Sequence, residues 1–66
     1  MKYELTNETR EFIGLTLYRI RALKDVPSIE VKSGDLGGFI EKESNLSQEG
    51  NAWVAGNAQV SEGKIT

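Results

Sequence analysis

A chain of 66 residues and 7.3 kDa forms one small domain at most. With no cysteine and no histidine, disulfides, thiolate or imidazole metal sites and Ser-His or Cys-His catalytic pairs are excluded, and only a carboxylate metal site survives. The formal net charge of −2 is unevenly spread: residues 1–33 carry six basic and five acidic groups, whereas residues 34–66 carry Lys42 and Lys64 against Asp35, Glu41, Glu43, Glu49 and Glu62, the reverse of what a general nucleic-acid binder presents.

Lys2-Tyr3-Glu4-Leu5 alternates and predicts a short strand. The first residues lack the apolar stretch of a signal peptide, and no apolar run approaches membrane-spanning length. A soluble, cytoplasmic protein is therefore expected. Thr6-Asn7-Glu8-Thr9 predicts a turn. Residues 10–23 then predict a hairpin with Ile13-Gly14 at its bend, because Gly14 supplies a positive φ. Isoleucine suits the first position of a type I′ turn poorly, so a longer loop is the alternative. In the second strand Leu15, Leu17, Arg19 and Arg21 share one face, and Thr16, Tyr18, Ile20 and Ala22 the other. A helix over residues 19–24 competes with this strand.

Pro27 breaks any ladder, and Ser28-Ile29-Glu30-Val31 predicts a weak strand. Residues 33–38 hold three glycines and predict a tight corner leading into Phe39-Ile40. Glu41 and Glu43 are expected to share a strand face. From Asn45 onward the chain falls into hexads: Asn45-Leu46-Ser47-Gln48-Glu49-Gly50, Asn51-Ala52-Trp53-Val54-Ala55-Gly56, Asn57-Ala58-Gln59-Val60-Ser61-Glu62. Asn recurs every six residues, Gly closes the first two units, and Ala52/Ala58 and Val54/Val60 recur in phase. Gly63-Lys64-Ile65-Thr66 opens a further unit out of phase. Each hexad fits one short side of a β-helix coil, with Asn or Gly at the corner where φ turns positive. Alternation points Ala52, Val54, Ala58 and Val60 inward and leaves Gln59 exposed.

Met1-Lys2-Tyr3-Glu4-Leu5-Thr6, Leu17-Tyr18-Arg19-Ile20-Arg21-Ala22-Leu23, Gly34-Asp35-Leu36-Gly37-Gly38-Phe39-Ile40-Glu41 and Asn45-Leu46-Ser47-Gln48-Glu49-Gly50-Asn51 together resemble a family of phage- and prophage-encoded proteins. In that family such a head precedes a run of Asn-Ala-x-Val-x-Gly repeats, often labelled as hexapeptide-repeat transferases. The resemblance covers nearly the whole chain. It implies a β-helix-like tail and a phage or prophage origin. Hexapeptide acyltransferases work as trimers with a catalytic histidine at a subunit interface, and this chain has no histidine.

The remaining candidate chemistries are thin. Gly34-Asp35-Leu36-Gly37-Gly38 lacks the following helix and the Gly-Lys-Ser/Thr of a phosphate-cradling loop. Asp35, Glu41, Glu43 and Glu49 would need a cleft to raise one carboxyl pKa for hydrolysis, and read better as a solvated acidic face. Arg19, Arg21 and Lys24 form a basic cluster that either contacts phosphates or blocks edge-to-edge association of a strand. Trp53, at an outward hexad position, is either covered by the head or is an interface anchor.

These readings predict a mainly β single domain over residues 1–66, with a hairpin-rich head at 1–44 and a rudimentary β-helix-like coil at 45–66. No cofactor and no catalysis are expected. A small core without a disulfide favours a homo-oligomer, a dimer first. The expected role is that of a small acidic inhibitor, of the anti-CRISPR type, which binds a protein partner in a host defence complex through Glu41, Glu43, Glu49 and Trp53. It would contact neither nucleic acid nor membrane directly. The alternative is a structural or assembly module, a shortened β-helix.

Overall fold

The computed structural model describes residues 1–65; Thr66, the end of the predicted tail, lies outside them. The fold is mainly β, a four-stranded sheet with no α-helix among the described residues. Strand β1 (Tyr3–Phe12) and strand β2 (Leu15–Ala22) form an antiparallel hairpin. Strand β3 (Leu36–Ile40) pairs antiparallel with β2, and the two-residue β4 (Gln59–Val60) pairs parallel with β3. The sheet order is thus β1-β2-β3-β4.

The hairpin bends in two residues. Ile13 has φ 48° and Gly14 φ 77°, the paired positive values of a type I′ turn, and Phe12 faces Leu15 across it. The tight bend holds despite a β-branched residue at its first position, and no longer loop forms. Residues 6–9 do not turn. They lie inside β1, where the register shifts: Leu5 faces Ile20, then Thr9 faces Tyr18, so Thr6, Asn7 and Glu8 oppose Arg19 alone. Thr6 holds this bulge, its Oγ1 donating to Arg19 O at 2.9 Å and accepting from Glu8 N at 3.2 Å. Residues 19–22 are strand, as β2, so the competing helix is absent. The predicted strand at 28–31 is replaced by a 3₁₀ turn over Pro27–Ile29, a left-handed Glu30 at φ 57°, and a single bridge between Val26 and Val31. Proline opens such a turn readily because its fixed φ and missing N–H suit the first position.

The larger core cluster lies on the Ile20 face of the sheet, while Leu17 and Phe39 are buried on the other. Tyr3, Ile20 and Ile40 pack with Leu46, Ala52 and Val54 from the hexads, and Trp53, Val60 and Ile65 cover this cluster. A second small cluster of Ala22, Val26 and Val31 is covered by Ile29 and again by Trp53. Ala52 and Val54 are buried, Val60 packs against the same cluster, and Gln59 is exposed, as the alternation requires. Ala58 is not inward: it is exposed. Ala58 instead closes the turn at Gly56-Asn57, its N–H donating to Ala55 O at 3.2 Å, and its carbonyl is taken by Phe39 N at 2.9 Å. The hexad corners fall on glycine: Gly50, Gly56 and Gly63 have φ of 71°, 59° and 75°.

Two glycines of β3 let this tail lie on the sheet. Gly38 N donates to Val54 O at 2.6 Å. A Cβ at Gly38 would lie 2.5 Å from both Ala58 O and a Val54 methyl; one at Gly37 would lie 2.5 Å from Val54 O and 2.7 Å from Ile20. Backbone carbonyls cannot swing aside as side-chain ends do. Gly38→Ala is therefore expected to destabilise the fold by about 2–3 kcal/mol, the cost of overpacking a core, read from denaturant midpoints. At the bend the expectation is opposite in sign. Ile13→Asn puts a residue that tolerates positive φ where isoleucine is strained, and should stabilise by about 1 kcal/mol, seen as a higher Tm.

Candidate functional site

The start of β1 pins the loop that carries the acidic residues. Lys2 is fully buried. Its Nζ donates to Ala52 O at 2.5 Å and to Gly50 O at 3.4 Å. The backbone N–H groups of Lys2 and Tyr3 both donate to Gln48 Oε1, at 2.8 and 3.2 Å. Gln48 Nε2 in turn donates to Tyr3 O at 3.3 Å and to Glu43 Oε1 at 2.9 Å. The Tyr3 hydroxyl shares its single proton between Leu46 O at 2.5 Å and Glu43 O at 2.9 Å. Every buried side-chain polar atom among the described residues has a partner. Sequence reasoning missed this network, since strand alternation alone gives no reason to bury a lysine.

An open concavity lies beside it. Glu43, Ser47, Gln48 and Glu49 line it together with Lys64. Glu43 opens a 3₁₀ turn (Glu43–Asn45), held by Asn45 Oδ1 accepting from Lys42 N at 2.9 Å. Ser47 Oγ accepts from Glu49 N at 3.1 Å and so fixes the approach to Glu49. Glu43 and Glu49 are both exposed. Glu41 is outside the concavity; its backbone N–H continues the β3–β4 pairing by donating to Val60 O at 3.2 Å. Glu41 and Glu43 do not share a strand face, because β3 ends at Ile40 and the chain turns. Trp53 is half-buried, covered by the head through both core clusters. The structure thus brings together two of the four residues expected at the site.

The basic cluster is divided. Arg19 lies over the Phe39 ring, 4.4 Å from its centroid, and donates from Nε to Glu8 Oε2 at 2.8 Å. Its Nη1 donates to Gly37 O at 2.7 Å and its Nη2 to Asn57 Oδ1 at 3.3 Å. Arg19 therefore clamps β1, β3 and the hexad turn together. Arg21 pairs with Glu4. Arg10 adds a second guanidinium against Phe39, 4.5 Å from the ring centroid. The three repeat asparagines have different tasks: Asn45 is buried and donates to Gly63 O, Asn51 accepts from Ser28 Oγ, and Asn57 accepts from Arg19.

Among the described residues no three Asp or Glu side chains converge as a metal site, and no helix is long and apolar enough to cross a membrane. No protein-family model matches the chain, and no curated protein matches it. The resemblance to phage-encoded repeat proteins thus rests on the quoted motifs alone.

Burial, with the Glu43 charge second, pushes the Tyr3 phenol up to about 12. Burial, with the Lys24 charge second, lowers the Lys2 ammonium below its ordinary value. The raised phenol favours the folded state fully below pH 10, and this advantage is lost as pH climbs toward 12. Lys2 has the opposite sign: its lowered value means that stability rises with pH up to the ordinary lysine range. Above about pH 10.5 the Tyr3 loss should dominate, amounting to about 2–3 kcal/mol by pH 12. Denaturant titrations from pH 9 to 12 check this. Tyr3→Phe should be less stable at neutral pH by about 1–3 kcal/mol and should lose less stability above pH 10 than the parent.

Proposed function

We propose that this chain is a non-enzymatic binding protein: a phage-encoded, acidic inhibitor of a bacterial defence complex, of the anti-CRISPR type, acting in the host cytoplasm. The observation that carries this reading is the concavity where exposed Glu43 and Glu49 outnumber the one lysine that lines it, Lys64. Residues 34–66 as a whole carry a −3 balance. A surface that binds nucleic acid presents lysine and arginine, so a compact acidic face competes for it and is steered to it. The partner is a protein; direct contact with nucleic acid or membrane has no part in this role.

The assembly reading is supported by a different observation. Phe39 pairs parallel with Gln59 and Ile40 with Val60, 20 residues on, and Leu46 bridges Ile65, 19 residues on. Near-constant offsets in parallel pairing are the register of one β-helix rung laid on the next. On this reading the hexads form a rudimentary β-helix-like coil, and the chain serves as a shortened β-helix in a larger structure.

The two roles respond differently to charge and salt. For the inhibitor, Glu49→Lys together with Glu43→Lys should weaken binding to the defence complex by several kcal/mol, and parent binding should fall steeply between 50 and 300 mM salt. The double variant should remain folded, losing about 1 kcal/mol for the Gln48–Glu43 hydrogen bond. Unchanged inhibition by this variant would reject the acidic-face mechanism.

A further inference from the structure

The exposed apolar end of the hairpin has no place in either role. Ile13 is 85% exposed and Phe12 41%, with Leu15 half-buried beside them. Ile13 also adopts a positive φ, a strained state for a β-branched residue. An asparagine there would be less strained and more soluble. A strained, wet isoleucine at a projecting tip is the kind of outlier that points to a contact.

The chain also holds a groove that fits this tip. Pro27 and Val31 form its apolar part, and Asp25, Glu30 and Lys32 its charged rim. The groove follows the far end of β2, where Ala22 packs against Val26 and Val31. The tip precedes the near end of β2. Eight residues of strand put roughly 25 Å between them, in a molecule whose longest extent is 35 Å. Tip and groove of one chain cannot meet.

Their chemistry is complementary. Strand alternation puts Arg10 on the Phe12 face of the tip and Glu11 on the opposite face. Arg10 lies with its guanidinium over the Phe39 ring, and among the described residues it has no carboxylate partner. The groove offers Asp25 and Glu30 for Arg10, and Lys32 for Glu11. We propose that the hairpin tip of one chain docks in the groove of a second copy, with Ile13 and Phe12 against Pro27 and Val31.

Each copy uses one surface to give and another to receive, so copies either link head to tail or, side by side and antiparallel, exchange tips in a closed pair. The contact is small, well below about 1,200 Å², so association is weak and reversible.

Sedimentation of the purified chain across micromolar to millimolar concentration tests this. The weight-average mass should rise with concentration above 7.3 kDa. Ile13→Asn breaks the tip while keeping the fold, and Glu30→Lys breaks the groove rim. Each variant alone should need at least ten-fold higher concentration to associate. An equimolar mixture should recover association and stop at two chains, because the intact tip of one meets the intact groove of the other. A parent that stays at 7.3 kDa or a mixture that fails to associate would each overturn the proposal. So would an Ile13→Asn variant that associates like the parent, since the tip would then not be the contact.

Discussion

Everything in this small fold depends on the absence of two side chains. At Gly37 and Gly38 the backbone of residues 54–58 comes so close to β3 that a methyl group on either would overlap carbonyl oxygens. That approach lets Val54 reach Ile20 and Ile40 and lets the tail continue the sheet past β3. Without it the hexads would have nothing to rest on, and the head would keep one bare sheet face. A chain this short buries only about 60% of its unfolded surface, so losing that one interface would remove most of the core.

Polar groups do the remaining joining. Lys2, Tyr3 and Gln48 tie the first residues of the chain to the loop between 43 and 52 through hydrogen bonds to backbone carbonyls and amides. Arg19 does the same from the other side of the sheet, with its flat face on Phe39 and its edges on Gly37, Asn57 and Glu8. These clamps span 11 to 50 positions in sequence. They close long loops in the way that disulfides do elsewhere, though by many weak bonds. One consequence is that basic residues that look available in the sequence are partly consumed: Lys2 and Arg19 hold the fold, and their charges are not on offer to a ligand.

The hairpin was legible because its information is local. Alternation set the faces of β2 and Gly14 set the bend. The inward side of the second hexad was legible for the same reason. What failed was set by partners far away or by one competing bond. Thr6 forms a bulge, and not a turn, because its hydroxyl bridges the Arg19 carbonyl and the Glu8 amide. Ala58 faces outward because it closes the Gly56-Asn57 turn, and the expected alternation resumes only at Gln59. At the site, the acidic character of residues 43–49 was visible in composition, and the concavity joining Glu43 to Glu49 was not. It is shaped by Tyr3 and Gln48, which no spacing rule connects to them. Glu41 was misplaced because the strand stops one residue before it.

The register between β2 and β3 begins at Tyr18, so the stretch of hairpin from Glu11 to Thr16 is supported by two strands only. Two-stranded ribbons are marginal in water. Its amides are therefore expected to exchange with solvent by local fraying, and those of Ile20, Gly38 and Phe39, where three or four strands meet, only by a larger opening. The molecule thus joins a sheet-and-tail body to a two-stranded arm of lower local stability.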